Sequence, residues 1–108
     1  MSNKLMTLID LHQSLGKLGS KDVILDVRRP EEFQQGHIEN ALNIPVDQVA
    51  SHAEDLKKYE NIYIHCKLGG RAKMAYEALQ AAGLTNLICI SDAGMDAWVT
   101  HGFPVMKG

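Results

Sequence analysis

One short segment of the sequence combines a cysteine, two glycines and an arginine in the order Cys66-x-x-Gly69-Gly70-Arg71. It follows an apolar run rich in β-branched residues, residues 62–65, and it precedes residues with helical spacing. That pattern predicts a strand, a tight loop and a helix, with Cys66 at the carboxyl end of the strand. The two glycines permit the loop backbone to curl back over the thiol.

The predicted surroundings of Cys66 favour a negatively charged sulfur. Loop N–H groups and the amino end of the following helix are expected to point toward the sulfur, and Arg71 is expected to add a fixed positive charge. Lys67 lies in the same loop, where it either attracts anionic substrates or is a solvated side chain, and the sequence favours neither. We therefore predict an activated thiolate whose amide cradle could also hold the outer sulfur of a persulfide.

A structural role is the main alternative for Cys66, because an isolated cysteine in a small protein is usually a buried apolar residue. Its place at a strand end, before a glycine loop and an arginine, disfavours that alternative. Cys89 alternates within the apolar run 87–90, and we interpret it as a core residue. The two cysteines lack CxxC or metal-ligand spacing, so neither a metal site nor a dithiol redox cycle is favoured.

The loop lies within alternating strand and helix patterns. Four short apolar runs stand out, at residues 23–27, 41–44, 62–65 and 87–90, and the first, third and fourth predict strands that are buried on both faces. Helical patterns lie between and around them, at residues 8–18, 30–33, 46–58, 72–82 and 95–100. The alternation predicts an α/β domain with a mostly parallel sheet covered on both faces. Ligands bind such sheets outside the carboxyl ends of the strands, where Cys66 falls.

The composition is that of one globular domain, which we take to cover residues 1–108. Apolar residues make up 45% of the 108 and charged residues 22%, which suits a single core. A net charge of -2 argues against general binding to nucleic acid. No apolar run approaches the roughly 18 residues that span a bilayer, so we expect no membrane partner. The opening segment is too mixed for a signal peptide, and we expect a cytoplasmic protein with reduced thiols.

The sequence resembles the single-domain rhodanese homology proteins over almost its whole length, from about Thr7 to Val105. Three blocks in the right order and spacing carry the resemblance, and together they are highly specific. The first block consists of Leu25-Asp26-Val27-Arg28, Glu32-Phe33, Gly36-His37-Ile38-Glu39-Asn40-Ala41 and Asn43-Ile44-Pro45. The second block is the loop Cys66-x-x-Gly69-x-Arg71. The third block consists of Gly94, Trp98, Gly102 and Pro104.

The resemblance implies a three-layer rhodanese-like domain around a central, mostly parallel sheet of about five strands. It implies an enzyme of the thiosulfate sulfurtransferase type in which Cys66 takes a sulfane sulfur from a small donor such as thiosulfate and becomes a persulfide. The sulfur then passes to a thiophilic acceptor such as cyanide or a thiol, with an acceptor protein left open. No metal or organic cofactor is needed. The implied substrate cradle consists of Lys67, Leu68, Gly69, Gly70, Arg71 and Ala72.

Two other functions stay open beside sulfur transfer. Related dual-specificity phosphatases use Cys-x5-Arg, whereas this sequence has Cys-x4-Arg, and the tighter ring suits a sulfur atom better than a phosphoryl group. One alternative is therefore a thiol phosphatase or arsenate reductase, and the other is a non-catalytic module that carries or senses sulfur for a partner. His65 resembles the histidine before the phosphatase cysteine, but neighbouring strand residues face opposite sides, so we interpret it as structural.

Further polar residues are candidates for supporting roles. Asp26 and Arg28 flank the end of the first strand, where they either line the site or support the nucleophile loop. We favour the supporting role because a carboxylate in a buried run needs partners. His37 is interpreted as structural, since a reactive thiolate needs no separate base. Ala72 and Ala93 depart from the family pattern, which commonly has a hydroxyl and a glycine there, and this affects the expected turnover rate.

Overall fold

A parallel sheet of four strands forms the centre of the computed structural model, which describes residues 4–108. In chain order the strands are β1 (Asp22–Asp26), β2 (Leu42–Asn43), β3 (Asn61–His65) and β4 (Leu87–Cys89). Their order across the sheet is β2-β1-β3-β4. The three longer strands are buried on both faces, as their nearly continuous apolar sequences predict. The first three residues of the expected domain lie outside the described residues.

We expected about five strands, whereas the sheet formed by residues 4–108 has four. Beyond β4 the chain contributes a single bridge, in which Leu5 pairs with Cys89. The Met6 N–H donates to the Cys89 carbonyl at 3.0 Å, and the Cys89 N–H donates to the Lys4 carbonyl at 3.0 Å. The pairing goes no further because the first helix begins at Leu8, two residues after Met6.

Helices cover both faces of the sheet and give the expected three layers. They are α1 (Leu8–Ser14), α2 (Pro30–Gln35), α3 (Ala53–Leu56), α4 (Gly70–Ala81) and α5 (Met95–Thr100). On one face α3 and α4 bury Leu56, Ala75 and Leu79 against the sheet. On the other face α1 and α5 bury Leu11 and Trp98. Among the described residues, no helix is both long enough and apolar enough to cross a bilayer.

The segment 46–58, which is predicted to be helical, is helical over residues 46–56 but changes type along its length. Val46–His52 forms a 3-10 helix, and only Ala53–Leu56 is α-helical. The Ser51 hydroxyl donates to the Gln48 carbonyl at 2.7 Å, a local bond that competes with regular α-helical pairing. The same apolar residues face the core in either geometry, which is why the amphipathic pattern alone did not distinguish them.

The register of β1 and β3 sets the position of the reactive loop. Asp26 is paired with His65 at the carboxyl ends of these neighbouring strands. The Val27 N–H then donates to the His65 carbonyl at 3.1 Å, which continues the pairing one residue further. Cys66 follows directly, so its loop opens at the edge of the sheet where ligands bind in parallel α/β folds.

Candidate active site

The sulfur of Cys66 lies beneath the loop that joins β3 to α4, and two backbone N–H groups donate to it. The Gly69 N–H lies 3.1 Å from Sγ and the Ala72 N–H lies 3.2 Å from it. Both belong to the turn that opens α4, whose first residue is Gly70. Hydrogen bonds from N–H groups at a helix amino end stabilise negative charge, so these two N–H groups are placed to stabilise an anionic sulfur at Cys66.

Close backbone contacts hold the loop in place. Gly69 has a φ of 121°, a conformation that L side chains rarely adopt, and a Cβ there would overlap the Ser91 carbonyl oxygen. A Cβ on Gly94 would overlap the Cys66 carbonyl oxygen. That carbonyl also accepts the Met95 N–H at 2.8 Å. The segment after β4 therefore packs directly against the loop that carries Cys66.

The remaining loop residues lie at different depths. Lys67 and Leu68 form the exposed tip of the loop, and the Leu68 side chain is 68% exposed. Gly70 is exposed at the start of α4, whereas Ala72 is fully buried. Ala72 contributes its N–H to the sulfur through its backbone, so the missing side-chain hydroxyl does not remove this hydrogen bond.

The surroundings of Arg71 differ most from what the sequence predicts. The sequence predicts a fixed positive charge near Cys66, and the structure shows in addition that this guanidinium is paired with Glu32, through Nη1–Oε1 and Nη2–Oε2 distances of 2.7 and 3.1 Å. The hydrogen bonds from Arg71 lower the pKa of Glu32 from 4.5 to about 2. Those to Glu32 raise the pKa of Arg71, and the nearby Cys66 sulfur adds to the shift. Arg71 therefore lies within electrostatic reach of the sulfur with most of its charge compensated.

Glu32 is absent from the sequence-predicted site residues. Its carboxylate also accepts the Arg29 N–H at 2.9 Å, a bond that caps the start of α2. A glutamate in the first turn of a helix is a common capping residue. Apart from its place in the family pattern, this capping position is what the sequence indicates about Glu32. The pairing with Arg71, which lies 39 positions later, depends on the tertiary structure.

Asp26 and Arg28 form a buried ion pair beside the loop. The Arg28 Nη2 lies 2.7 Å from Asp26 Oδ2, and the Arg28 Nε lies 2.9 Å from Oδ1. The Arg28 guanidinium also donates to the carbonyls of Glu32 and Gly36, at 3.3 and 2.8 Å. Through these bonds Arg28 ties the end of β1 to α2, the helix that carries Glu32. The geometry agrees with a supporting role for both residues.

His65 lies on the opposite side of the sheet from the Cys66 sulfur. It is fully buried, and its Nε2 lies 3.8 Å from Asp26 Oδ2. Burial lowers the pKa of His65, although Asp26 opposes that shift, so the ring is neutral at neutral pH. His37 stacks on Phe33 with 3.8 Å between ring centroids, and its Nδ1 lies 2.9 Å from the Phe33 carbonyl oxygen. His65 Nδ1 lies 3.4 Å from the Cys66 carbonyl oxygen, so the histidine contacts the backbone of Cys66 and not the N–H groups of Gly69 and Ala72 that donate to its sulfur.

Comparison with known protein families identifies the family to which this chain belongs. A family model for the rhodanese-like domain matches residues 7–101. The chain belongs to the rhodanese-like domain family. This confirms the family that the three sequence blocks indicated.

Known rhodanese-like proteins match most of the chain. A protein named sulfurtransferase from Allochromatium vinosum is 31% identical over 88 residues, which cover 81% of each chain. Thiosulfate sulfurtransferase 16, a chloroplastic protein of Arabidopsis thaliana, is 37% identical over 95 residues, covering 74% of this chain and 76% of its own. The crystal structure of a rhodanese-related protein from Thermoplasma volcanium superposes with a TM-score of 0.82 at 28% identity, covering 97% and 99% of the two chains. The rhodanese-like fold is therefore shared.

The two cysteines of this rhodanese-like domain are equally buried but lie in different surroundings. Each is 1% exposed. Cys66 receives two N–H groups from its loop, whereas burial within β4 raises the pKa of the Cys89 thiol despite an opposing hydrogen bond with Ser91. Burial therefore disfavours the thiolate of Cys89, whereas the loop N–H groups are placed to stabilise negative charge on the Cys66 sulfur.

Alkylation at neutral pH is expected to modify Cys66 at least about tenfold faster than Cys89, because only the thiolate reacts appreciably. Iodoacetamide labelling followed over time by peptide mass spectrometry measures both rates in one sample. The Cys89→Ser variant is expected to label as fast as the wild type. Equal rates at the two cysteines would contradict an activating role for the loop N–H groups.

Replacing Glu32 with glutamine is expected to destabilise the rhodanese-like domain at neutral pH by an amount that shrinks in acid. The folded-state pKa of about 2 lies below the ordinary value of 4.5, so the ionised carboxylate stabilises the fold above pH 4.5. That contribution is lost as the pH falls from 4.5 toward about 2, since protonation then removes the charge. Urea unfolding across this range measures the difference from wild type.

The control is Glu31→Gln, because Glu31 is exposed on the same helix and the substitution removes the same charge. A stability difference between wild type and Glu32→Gln that stays constant into acid would contradict an ion pair between Glu32 and Arg71.

Proposed function

We propose that this rhodanese-like domain is a sulfurtransferase that carries a sulfane sulfur on Cys66. The observation that supports it best is the pair of N–H groups, from Gly69 and Ala72, that lie 3.1 and 3.2 Å from Sγ. They stabilise a thiolate before reaction, and after a short shift they can stabilise the terminal sulfur of a persulfide. The relatives named as sulfurtransferases support the same reaction class.

The proposed cycle has two displacements at sulfur. The Cys66 thiolate attacks the outer sulfur of thiosulfate, an S–S bond forms to Sγ, and the S–S bond of thiosulfate breaks with its electron pair leaving on sulfite. The product is the Cys66 persulfide anion. A thiophilic acceptor such as cyanide or a thiolate then attacks the terminal sulfur and departs with it, which returns the electron pair to Sγ. Neither step needs an added oxidant, metal or organic cofactor.

The closeness of the cradle to Sγ favours sulfur over a phosphoryl group as the transferred unit. The Cys66 side chain is 1% exposed, so the resting loop leaves little space above the sulfur. One additional sulfur atom needs a smaller displacement of the loop than a tetrahedral phosphoryl group. Donor entry requires movement at the exposed tip, where Lys67 and Leu68 lie, because the segment after β4 clamps the base of the loop.

Intact-mass measurement of the protein after incubation with thiosulfate tests the proposal. We expect a gain of one sulfur atom, located by peptide analysis at Cys66, and its loss with formation of thiocyanate when cyanide is added. A persulfide that forms without passing to cyanide or small thiols would instead favour a carrier that delivers sulfur to a protein. No adduct, together with hydrolysis of an aryl phosphate or reduction of arsenate, would overturn sulfur transfer.

A further inference from the structure

Glu32 determines the charge at the mouth of the nucleophile loop. Its carboxylate accepts two hydrogen bonds from Arg71 and one from the Arg29 N–H. With a pKa of about 2, it is ionised throughout the neutral range. Bidentate pairs of this kind fix the guanidinium in one orientation, so the positive charge of Arg71 is held against a permanent negative charge.

The surface beside Arg71 adds no excess of positive charge. A cavity of about 380 Å³ lies there, and its charged lining consists of Arg29 and Arg71 together with Glu31 and Asp47. When Glu32 and Lys67, which lies exposed at the tip of the loop, are both included, three carboxylates face three cationic side chains. A surface with balanced charge concentrates a dianion such as thiosulfate less than the same surface would with an unpaired Arg71.

We propose that Glu32 is a specificity-determining residue that disfavours doubly charged donors and leaves the site suited to donors of lower charge, such as persulfide anions. The proposal rests on the sulfurtransferase function proposed above. Glu32 acts through Arg71, because it holds the guanidinium in a compensated pair. Thiosulfate then donates sulfur but is disfavoured. The natural donor carries at most one negative charge close to the sulfur atom that it transfers.

Two donors with the same leaving chemistry isolate the effect of charge. Thiosulfate is a dianion that transfers its outer sulfur and leaves as sulfite. Benzenethiosulfonate is a monoanion that transfers its outer sulfur in the same way and leaves as benzenesulfinate. In both reactions the Cys66 thiolate forms one S–S bond while one S–S bond breaks, so the ratio of their kcat/KM values reports the preference for charge.

The experiment compares that ratio, thiosulfate over benzenethiosulfonate, in wild type, Glu32→Gln and Glu31→Gln. Freeing the guanidinium in Glu32→Gln is expected to raise the ratio about tenfold, mainly through a lower KM for thiosulfate, and added salt is expected to reverse the gain. Glu31→Gln removes an equal charge from the lining of the same cavity but leaves the Glu32–Arg71 pair intact, so it is expected to raise the ratio by no more than about twofold. A Glu32→Gln/Arg71→Gln double variant is expected to return toward the wild-type ratio.

Several outcomes would overturn the inference. An unchanged ratio in Glu32→Gln, or an equal rise in Glu31→Gln, removes the specificity role of Glu32 while sulfur transfer itself stands. Wild-type protein that takes sulfur from neither donor removes the proposed function as well. The salt dependence of the wild type needs no variant, and here kcat/KM is expected to fall only slightly more for thiosulfate than for benzenethiosulfonate. A steep fall for thiosulfate alone would show an excess of positive charge at the loop and contradict the proposal.

Discussion

The Cys66→Ser variant is expected to lose at least about three orders of magnitude in sulfur transfer and to take up no sulfur from thiosulfate. A serine hydroxyl is not ionised at neutral pH, and its oxygen cannot form the S–S bond that stores the transferred atom. The fold is expected to persist, because the serine oxygen can accept the same Gly69 and Ala72 N–H groups. Intact mass and thiocyanate release measure the loss, and circular dichroism confirms folding.

Cys89→Ser is the matched control for this substitution. Cys89 is as buried as Cys66 but lies within β4, away from the loop N–H groups. We expect this variant to keep sulfur transfer within a few-fold of wild type once its lower stability is taken into account. A persulfide on Cys89, or normal turnover by Cys66→Ser, would contradict the assignment of Cys66 as the nucleophile.

Gly69→Ala is expected to destabilise the protein by about 2–4 kcal/mol and to reduce sulfur transfer by about a hundredfold in the folded fraction. Its φ of 121° strains any residue with a side chain, and the new Cβ would overlap the Ser91 carbonyl oxygen. The backbone must then shift, which moves the Gly69 N–H away from Sγ. Urea unfolding measures the first effect, and thiocyanate release under native conditions measures the second.

Gly70→Ala tests whether this effect is specific to Gly69. A Cβ on Gly70 meets nothing within 4 Å, and alanine is a better helix former than glycine at the start of α4. We expect Gly70→Ala to have wild-type activity and a stability within about 1 kcal/mol of wild type. Equal losses in both variants would show that the loop tolerates no side chain, and the specific role of the Gly69 N–H would be lost.

Structural features that depend on residues close together in the chain are predicted from the sequence. The apolar runs around residues 23–27, 62–65 and 87–90 lie on the strands observed, and α5 has the predicted limits. The place of Cys66 at the end of β3 follows from the same local pattern. The sequence does not distinguish a 3-10 helix from an α-helix over residues 46–52, because both bury the same side chains.

Features that depend on tertiary contacts were not predicted. The sequence places a positive charge at Arg71 but gives no indication that Glu32 compensates it. Nor does it show that the sheet formed by residues 4–108 has four strands and continues beyond β4 only as the pairing of Leu5 with Cys89. The ion pair requires α2 and α4 to meet, and the bridge requires the segment before α1 to meet β4, so both depend on segments far apart in the chain.

Amide resonances in ¹H–¹⁵N NMR spectra, before and after loading with thiosulfate, test most directly that loop N–H groups hold the sulfur on Cys66. The account predicts that Gly69 and Ala72 show the largest shifts, because their N–H groups donate to the anionic sulfur, and that cyanide reverses them. Persulfide formation with no movement of these two resonances would contradict it.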